Sequence, residues 1–429
     1  MVGDLFDLVY KPHLFRQRRE DGPLFGGIHM AAAEYIRDTI GRAEPGGAVS
    51  KNNTPLSINL SGVRNVSEEV ALILAETDHY LDLYQLEEIG SGEGALALLR
   101  KLVMQDEYES EFVFITQHEL RFTGIKNLSP EAALIMVESG KELVLGVESV
   151  SVEIARILAL SKANLTFTRL QSVSSTAVDA FAAYSGNLVF KNDEISESVA
   201  LLLSKIPGIL YIERLKELKN TPAFIALTQK LISQGESLFD DLEVLESEPA
   251  RLLGKSGTGI LSFDSLKSLD RDAAKALSEG VPAHPTILLG GFEEIPETEE
   301  HLLLARRLAL QDETILIGLR RITPVIARVL SQNTGVLTLS GLEDVSIETL
   351  EALQGNYGYG LEISIENLDD KAAEVLSKIN RTELFICYCG EVAESVAINL
   401  GQFKGEYLSL SGKASMSPKV KEILARFNV

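Results

Sequence analysis

The sequence predicts an α/β solenoid of about fifteen repeats of about 23 residues, with a parallel β-sheet on the inner face and helices on the outer face. Two observations lead to this fold class. Apolar residues recur at matched spacing along the chain, and each recurrence joins a strand pattern to a helix pattern. A unit this short cannot bury its own apolar face, so neighbouring units must stack.

The strand half of the unit is clearest in VLTLSGLEDVSIETLEALQG, from Val336 to Gly355. Leu337 and Leu339 alternate with hydroxyl residues, a period of two that is typical of a strand with one buried face. A glycine after the strand is expected to let the chain turn away from the sheet. It stands at Gly341, and equivalents occur at Gly62, Gly124, Gly146 and Gly318.

The helix half begins with a side chain suited to capping a helix N-terminus. Proline follows directly at Pro130 and Pro324, where the missing N–H of the first helical residue costs nothing. Ala372, Val375 and Leu376 then have the spacing of a short amphipathic helix. The predicted cap residues are Ser67, Ser129, Ser151, Ser174, Ser196, Asp270, Thr323, Ser346, Asp369 and Ser417.

The shared pattern, L-x-L-x-G-L-x-x-L-S-x-E-A-A, resembles the unit of leucine-rich repeat proteins, specifically a bacterial variant. The resemblance covers residues 56–429. It implies recognition of a protein partner on the concave face that the strands form. The Asn that usually follows the strand in that family is mostly replaced here by Gly or another residue, so turn geometry and curvature do not follow from the resemblance.

The flanking and irregular segments predict further subdivisions of the chain. Residues 1–28 are expected to form an N-terminal arm, and residues 29–55 a capping helix and loop, since repeat arrays need a cap. The solenoid then spans 56–429. It contains an insertion at about 100–118 and an irregular unit at about 236–258.

The formal net charge of −22 argues against nucleic acid or an anionic membrane as a partner, because like charges repel. Such acidity favours solubility, with a basic protein partner as the sharper hypothesis. The first residues lack the apolar core of a signal peptide, and no apolar run is long enough to span a membrane. We expect a cytoplasmic location, with secretion without a cleaved signal as the alternative.

The sequence shows no catalytic or metal-binding motif, so neither enzyme activity nor a cofactor is expected. The six histidines lack ligand spacing. Gly254 and Lys255 resemble the end of a P-loop, but Pro249 stands where the motif needs glycine. Cys389 is expected to fill a core position, with Cys387 on the concave side.

The outward strand positions form the predicted binding face, because they align across units into one surface. Aromatic residues and Arg are the usual energetic anchors of such a surface. We predict a non-enzymatic scaffold that binds an unidentified protein there. The alternatives are a structural or self-assembling solenoid with no specific ligand and, third, an enzyme with an unrecognised site. The C-terminal sheet edge is a possible place for self-association. The predicted contacts are Asp82, Tyr84, Arg121, Thr123, Thr166, Thr168, Tyr211, Glu213, Asp264 and Phe385.

Overall fold

A computed structural model describes residues 33–34, 57–60, 62–78, 80–105, 119–235, 239–257, 259–280, 285–355 and 357–427. Strands and helices alternate through these residues. Their contacts divide into two compact units, Met1–Glu213 and Arg214–Val429.

The first unit alternates short strands with helices of about two or three turns. Its strands are β1 Ser57–Asn59, β2 Tyr80–Asp82, β3 Glu88–Ile89, β4 Glu119–Phe122, β5 Asn127–Leu128, β6 Glu142–Leu145, β7 Ser149–Val150, β8 Leu165–Phe167, β9 Ser172–Val173, β10 Leu188–Phe190 and β11 Leu210–Ile212. Its helices are α1 Glu68–Ala75, α2 Glu93–Met104, α3 Pro130–Glu138, α4 Val152–Leu158, α5 Ser175–Phe181 and α6 Glu197–Lys205.

The second unit follows the same order, and its later strands are longer. Its strands are β12 Glu217–Leu218, β13 Val244–Leu245, β14 Ile260–Ser262, β15 Thr286–Leu288, β16 Glu313–Ile315, β17 Val336–Leu339, β18 Gly358–Ser364, β19 Arg381–Tyr388, β20 Glu391–Val392, β21 Tyr407–Gly412 and β22 Ser415–Met416. Its helices are α7 Pro222–Ser233, α8 Ser247–Gly254, α9 Arg271–Ser278, α10 Glu299–Ala309, α11 Pro324–Leu330, α12 Ile347–Ala352, α13 Asp370–Ser377, α14 Glu394–Leu400 and α15 Pro418–Ile423, before a short 3₁₀ turn at Ala425–Phe427.

The strands pair in parallel, which confirms the predicted α/β class with parallel strands. The first unit has a five-stranded sheet in the order β11-β10-β8-β6-β4, and the second has one in the order β16-β17-β18-β19-β21. Each sheet buries a row of leucines that pair in register across the strands. The rows are Leu143, Leu165, Leu188 and Leu210 in the first unit, and Leu337, Leu361, Leu384 and Leu408 in the second.

A second, shorter parallel ladder was not predicted from the sequence. In the two units, β3 pairs with β5, β7 with β9, β12 with β13 and β20 with β22, each strand being two residues long. The apolar residue before the helix cap lies in this ladder, as Val150 and Val173 show. The turn between the main strand and the helix is therefore fixed to the next repeat by backbone hydrogen bonds.

The predicted helix caps are confirmed. In every one, the side-chain oxygen accepts a hydrogen bond from the backbone N–H of the third residue along. Pro130 and Pro324 also lie in the first turn, as expected. Thr298 is a further cap that the sequence register missed, because the loop before α10 carries the cap beyond its expected position.

The glycines after the strands have a different role from the one expected. The glycines with positive φ among the described residues are Gly140, Gly235, Gly257 and Gly412. Only Gly412 among them follows an L-x-L strand, after Leu408 and Leu410, and none of the five glycines named from the sequence has a positive φ. A β-carbon on Gly146 or Gly341 would instead overlap a carbonyl oxygen of the preceding repeat. These glycines therefore allow neighbouring turns to approach closely.

Two buried Arg side chains bond backbone carbonyls of preceding repeats. Arg307 donates to the carbonyl of Gly254, at 2.8 Å, and to that of Leu277, near the ends of α8 and α9. Arg381 donates to the carbonyls of Ser331, Gly335 and Gly360, in two preceding repeats. Both guanidinium groups are almost fully buried, and burial lowers the pKa of each.

The predicted subdivisions fall partly outside the described residues. The arm at 1–28 lies outside them, as do most of the segment at 29–55 and residues 106–118 of the insertion. The irregular unit at about 236–258 contains β13 and α8 in the usual order, but its cap residue, Glu246, makes no side-chain cap hydrogen bond.

Replacing Ser151 with Ala should lower the free energy of unfolding by about 1 kcal/mol, because the N–H of Ile154 loses its acceptor. Ser149→Ala is the matched control, since Ser149 is exposed two residues earlier. Urea unfolding followed by circular dichroism measures both changes. Equal stability of the two variants would contradict a stabilising role for the cap.

Replacing Arg381 with Leu should destabilise the fold by about 2 kcal/mol or more, because buried carbonyls lose donors. Arg381→Lys should not restore stability, since one ammonium group cannot reproduce the planar fork. Arg328→Leu, on the exposed side of α11, is the control. The same urea titration tests this, and wild-type stability of Arg381→Leu would contradict it.

Candidate functional site

The outward face of the first five-stranded sheet carries the predicted anchors Arg121 and Tyr211. Strand register places both in one row, with Val144, Thr166 and Val189 between them. Arg121 is exposed, and 49% of the surface of Tyr211 is accessible to solvent. The fold therefore positions these two side chains at opposite edges of the same sheet.

Thr166, a predicted contact on the same row, is almost covered, because only 8% of its surface is exposed. Val144 and Val189 flank it in register and are larger than the threonine. Thr338, at an equivalent position in the second unit, is likewise only 9% exposed. A small side chain on a central strand is covered by its neighbours even on the outward face.

The charged groups on this first face are largely paired with one another. The Arg121 Nε atom lies 3.0 Å from Glu119 Oε1, and the Lys191 Nζ atom lies 2.6 Å from Glu213 Oε1. Exposed pairs of this kind contribute little to stability, but they leave little net charge on the face. The predicted contact Glu213 therefore already forms an ion pair with Lys191.

The other predicted contacts of the first unit lie at strand ends. Asp82 ends β2, and Tyr84 is 37% exposed just beyond it; β2 pairs with β1 and not with the five-stranded sheet. Burial raises the pKa of the Asp82 carboxyl, which a hydrogen bond from the backbone of Tyr84 partly offsets. Thr123 and Thr168 are half-buried just after their strands.

The second unit presents a different outward surface, which we call the C-terminal face. It consists of the outward positions of β16, β17, β18, β19 and β21, aligned by register. The predicted contact Phe385 lies within it, whereas Asp264 is exposed two residues after β14 and lies outside this sheet. Its residues are Glu313, Ile315, Val336, Thr338, Gly360, Glu362, Ser364, Glu383, Phe385, Cys387, Tyr407, Ser409 and Ser411.

On the C-terminal face, two aromatic rings lie next to two of the carboxylates. The ring centroids of Phe385 and Tyr407 are 5.2 Å apart, with 44° between the ring planes. Glu362 pairs in register with Phe385, and Glu383 pairs with Tyr407. The sequence prediction missed Glu362, Glu383 and Tyr407. Extending the predicted strands by two residues at their start would have included Glu383, which precedes Phe385, and Tyr407, which precedes Ser409.

The carboxylates of the C-terminal face lack the ion pairs found in the first unit. In the part of the chain that the structure describes, no Lys or Arg forms an ion pair with Glu313, Glu362 or Glu383. Glu383 instead accepts a hydrogen bond from Tyr359, with 3.0 Å between Tyr359 Oη and Glu383 Oε1. The face therefore carries uncompensated negative charge.

The expectation that Cys389 fills a core position is wrong, since Cys389 is exposed. Strand β19 continues to Tyr388, whose register partner is Gly412, so Cys389 falls in the turn beyond the sheet. Cys387 lies on the C-terminal face as expected, and its sulfur is 3.1 Å from Ser411 Oγ.

The described ranges contain no group of three or more His, Cys, Asp or Glu side chains arranged to hold a metal ion. No helix within them combines the length and apolar character needed to cross a bilayer.

No protein-family model and no curated protein matches the sequence. Among solved structures, an internalin of Listeria monocytogenes is 12% identical over 92% of this chain and 92% of its own, with a TM-score of 0.25. A leucine-rich repeat protein of Leptospira interrogans is 14% identical over 66% of this chain and 92% of its own, with a TM-score of 0.26. Both TM-scores are below 0.5, so the description of the fold depends on this chain's own strands and caps.

The phenol of Tyr359 should titrate at higher pH than an ordinary tyrosine. Its hydrogen bond to Glu383, and then the negative charge of that carboxylate, raise its pKa above 10.0. Since the folded pKa exceeds the unfolded one, this bond contributes stability below about pH 10 and loses it as the pH rises through the folded pKa.

Phenolate absorbance, compared between the protein and its Tyr359→Phe variant, isolates the titration of this phenol. Glu383→Gln should move the midpoint down towards the ordinary value. An unchanged midpoint in Glu383→Gln would show that the two side chains do not interact.

Proposed function

We propose that this chain is a non-enzymatic scaffold of the leucine-rich repeat type, which binds a protein partner on the outward faces of its sheets. The proposal includes about fifteen repeats of about 23 residues forming a solenoid over 56–429. It also includes the expected cytoplasmic location. It applies to each of the two units separately.

The observation that supports the proposal most directly is the alignment of side chains from different repeats into rows. Arg121 and Tyr211 belong to strands far apart in sequence, yet register holds them in one row. Phe385 and Tyr407 likewise come from successive strands. Aromatic and Arg side chains on rigid strands suit recognition, because little side-chain freedom is lost on binding.

Self-association is a second candidate, favoured by the edge of the second sheet. Among the described strands, β21 pairs only with β19, so its far edge has no described strand beside it. An edge of this kind offers backbone groups to another chain. Light scattering at high concentration tests this candidate, and a monodisperse monomer would rule it out.

A selection of random peptides displayed on phage, against the full chain, tests the scaffold proposal without a known partner. We expect selected peptides to protect the main strands from hydrogen exchange more than the helices. Arg121→Ala combined with Tyr211→Ala should weaken those that protect the first sheet by about tenfold or more.

Arg156→Ala combined with Leu160→Ala is the matched control for this test. It removes a comparable pair of exposed side chains at α4, on the helix side, and should leave binding within about twofold. If protection falls on helices, or if the control pair abolishes binding instead, the sheet faces are not the binding surface.

A further inference from the structure

We infer that the C-terminal face binds a basic, extended segment of a protein partner, with a Lys or Arg side chain seated on Phe385 and Tyr407 between Glu362 and Glu383. This inference names the partner's chemistry for one of the proposed binding faces, and therefore rests on the proposed function.

The four side chains form one compact cluster because of the strand register. Glu362 lies beside Phe385 on the neighbouring strand, and Glu383 lies beside Tyr407, each pair about 4.8 Å apart at the backbone. Glu383 and Phe385 are two residues apart on β19, hence on the same face and about 7 Å apart. One cationic side chain can therefore reach both carboxylates and both rings.

Electrostatics favour a cation at this position. Three of the outward positions that define the C-terminal face are Glu, and none of them is Lys or Arg. Arg381, two residues before Glu383 on β19, is buried and donates to backbone carbonyls. On the first sheet, Arg121 and Lys191 form ion pairs with neighbouring carboxylates, so the two sheets of this chain differ in how their acidic groups are compensated. A basic ligand would relieve the repulsion between the carboxylates, and the net charge of −22 would speed its approach.

The aromatic pair adds a preference that carboxylates alone would not give. Tyr407 is 43% exposed, and Phe385 is half-buried beside it, so the rings remain open to a ligand. An ammonium or guanidinium group over such rings gains a cation–π attraction. Tyr359 holds Glu383 by a hydrogen bond, which positions that carboxylate before any ligand arrives.

The neighbouring outward positions carry small side chains, so the surface beside the cluster is shallow. Gly360 lies between Val336 and Glu383 in one row and has no side chain. Ser409 and Thr338 are small and lie in the adjacent row. An extended segment crossing the strands would lie on this shallow surface and reach the carboxylates and rings of the cluster.

Fluorescence anisotropy with the full chain tests the inference, using labelled peptides of alternating Arg and Ser, Lys and Ser, or Glu and Ser. We expect the two basic peptides to bind and the acidic peptide not to bind. Glu362→Gln combined with Glu383→Gln should weaken the basic peptides about tenfold. Phe385→Leu, which keeps an apolar side chain but removes the ring, should weaken them about fivefold.

The matched control is Glu351→Gln combined with Glu374→Gln, on α12 and α13. It changes the net charge equally, away from the sheet, and should leave affinity within about twofold. Circular dichroism and urea unfolding of every variant establish that the fold is retained. If Phe385→Leu fails to fold, Tyr407→Leu replaces it, since the ring of Tyr407 is more exposed than that of Phe385.

Equal weakening by the two charge pairs would mean attraction to the whole acidic surface, and would overturn the inference. Unchanged affinity in Phe385→Leu would overturn the aromatic seat. A dimer that Phe385→Leu disrupts, with no peptide binding, would mean that a second copy covers the face. In each case the scaffold proposal survives if the binding of phage-selected peptides still depends on Arg121 and Tyr211. If no selected peptide protects the strands of either sheet from hydrogen exchange, the scaffold proposal fails together with the inference.

Discussion

Parallel pairing in register between neighbouring repeats is the constraint on which the rest of this structure depends. One strand and one short helix cannot enclose an apolar core, so Leu143 is buried only because Leu165 and its successors continue the row. The same pairing fixes the turn after each strand, since the short ladder that includes Val150 and Val173 binds that turn to the next repeat. Close packing of the turns then requires glycine at positions such as Gly146.

Stacking also buries backbone polar groups, which must be bonded within the protein. At the start of the helices this is solved locally, by a hydroxyl or carboxylate side chain such as Ser151 or Asp270. At the opposite ends it is solved over long distances. Arg307 and Arg381 each reach carbonyls in more than one repeat, and the partial negative charge at helix ends offsets the cost of burying a cation.

The two five-stranded sheets have the same architecture but different outward side chains. Arg121 and Lys191 neutralise carboxylates within the first face, whereas Glu362 and Glu383 in the second lie beside aromatic rings and form no ion pair with a Lys or Arg of the described chain. Because the core rows are equivalent, these outward residues are free to differ without altering the fold. Any distinction in what the faces bind must therefore come from a few side chains that the register aligns.

The sequence by itself determined the α/β class, the parallel strands and the helix caps, because an alternating strand or a cap such as Ser346 involves residues only a few positions apart. The tertiary structure decided what depends on register between distant segments. The burial of Thr166, the exposure of Cys389 and the long reach of Arg381 all belong to this group. So does the meeting of Glu383 with Tyr407, since no local pattern specifies which residues of successive strands lie side by side.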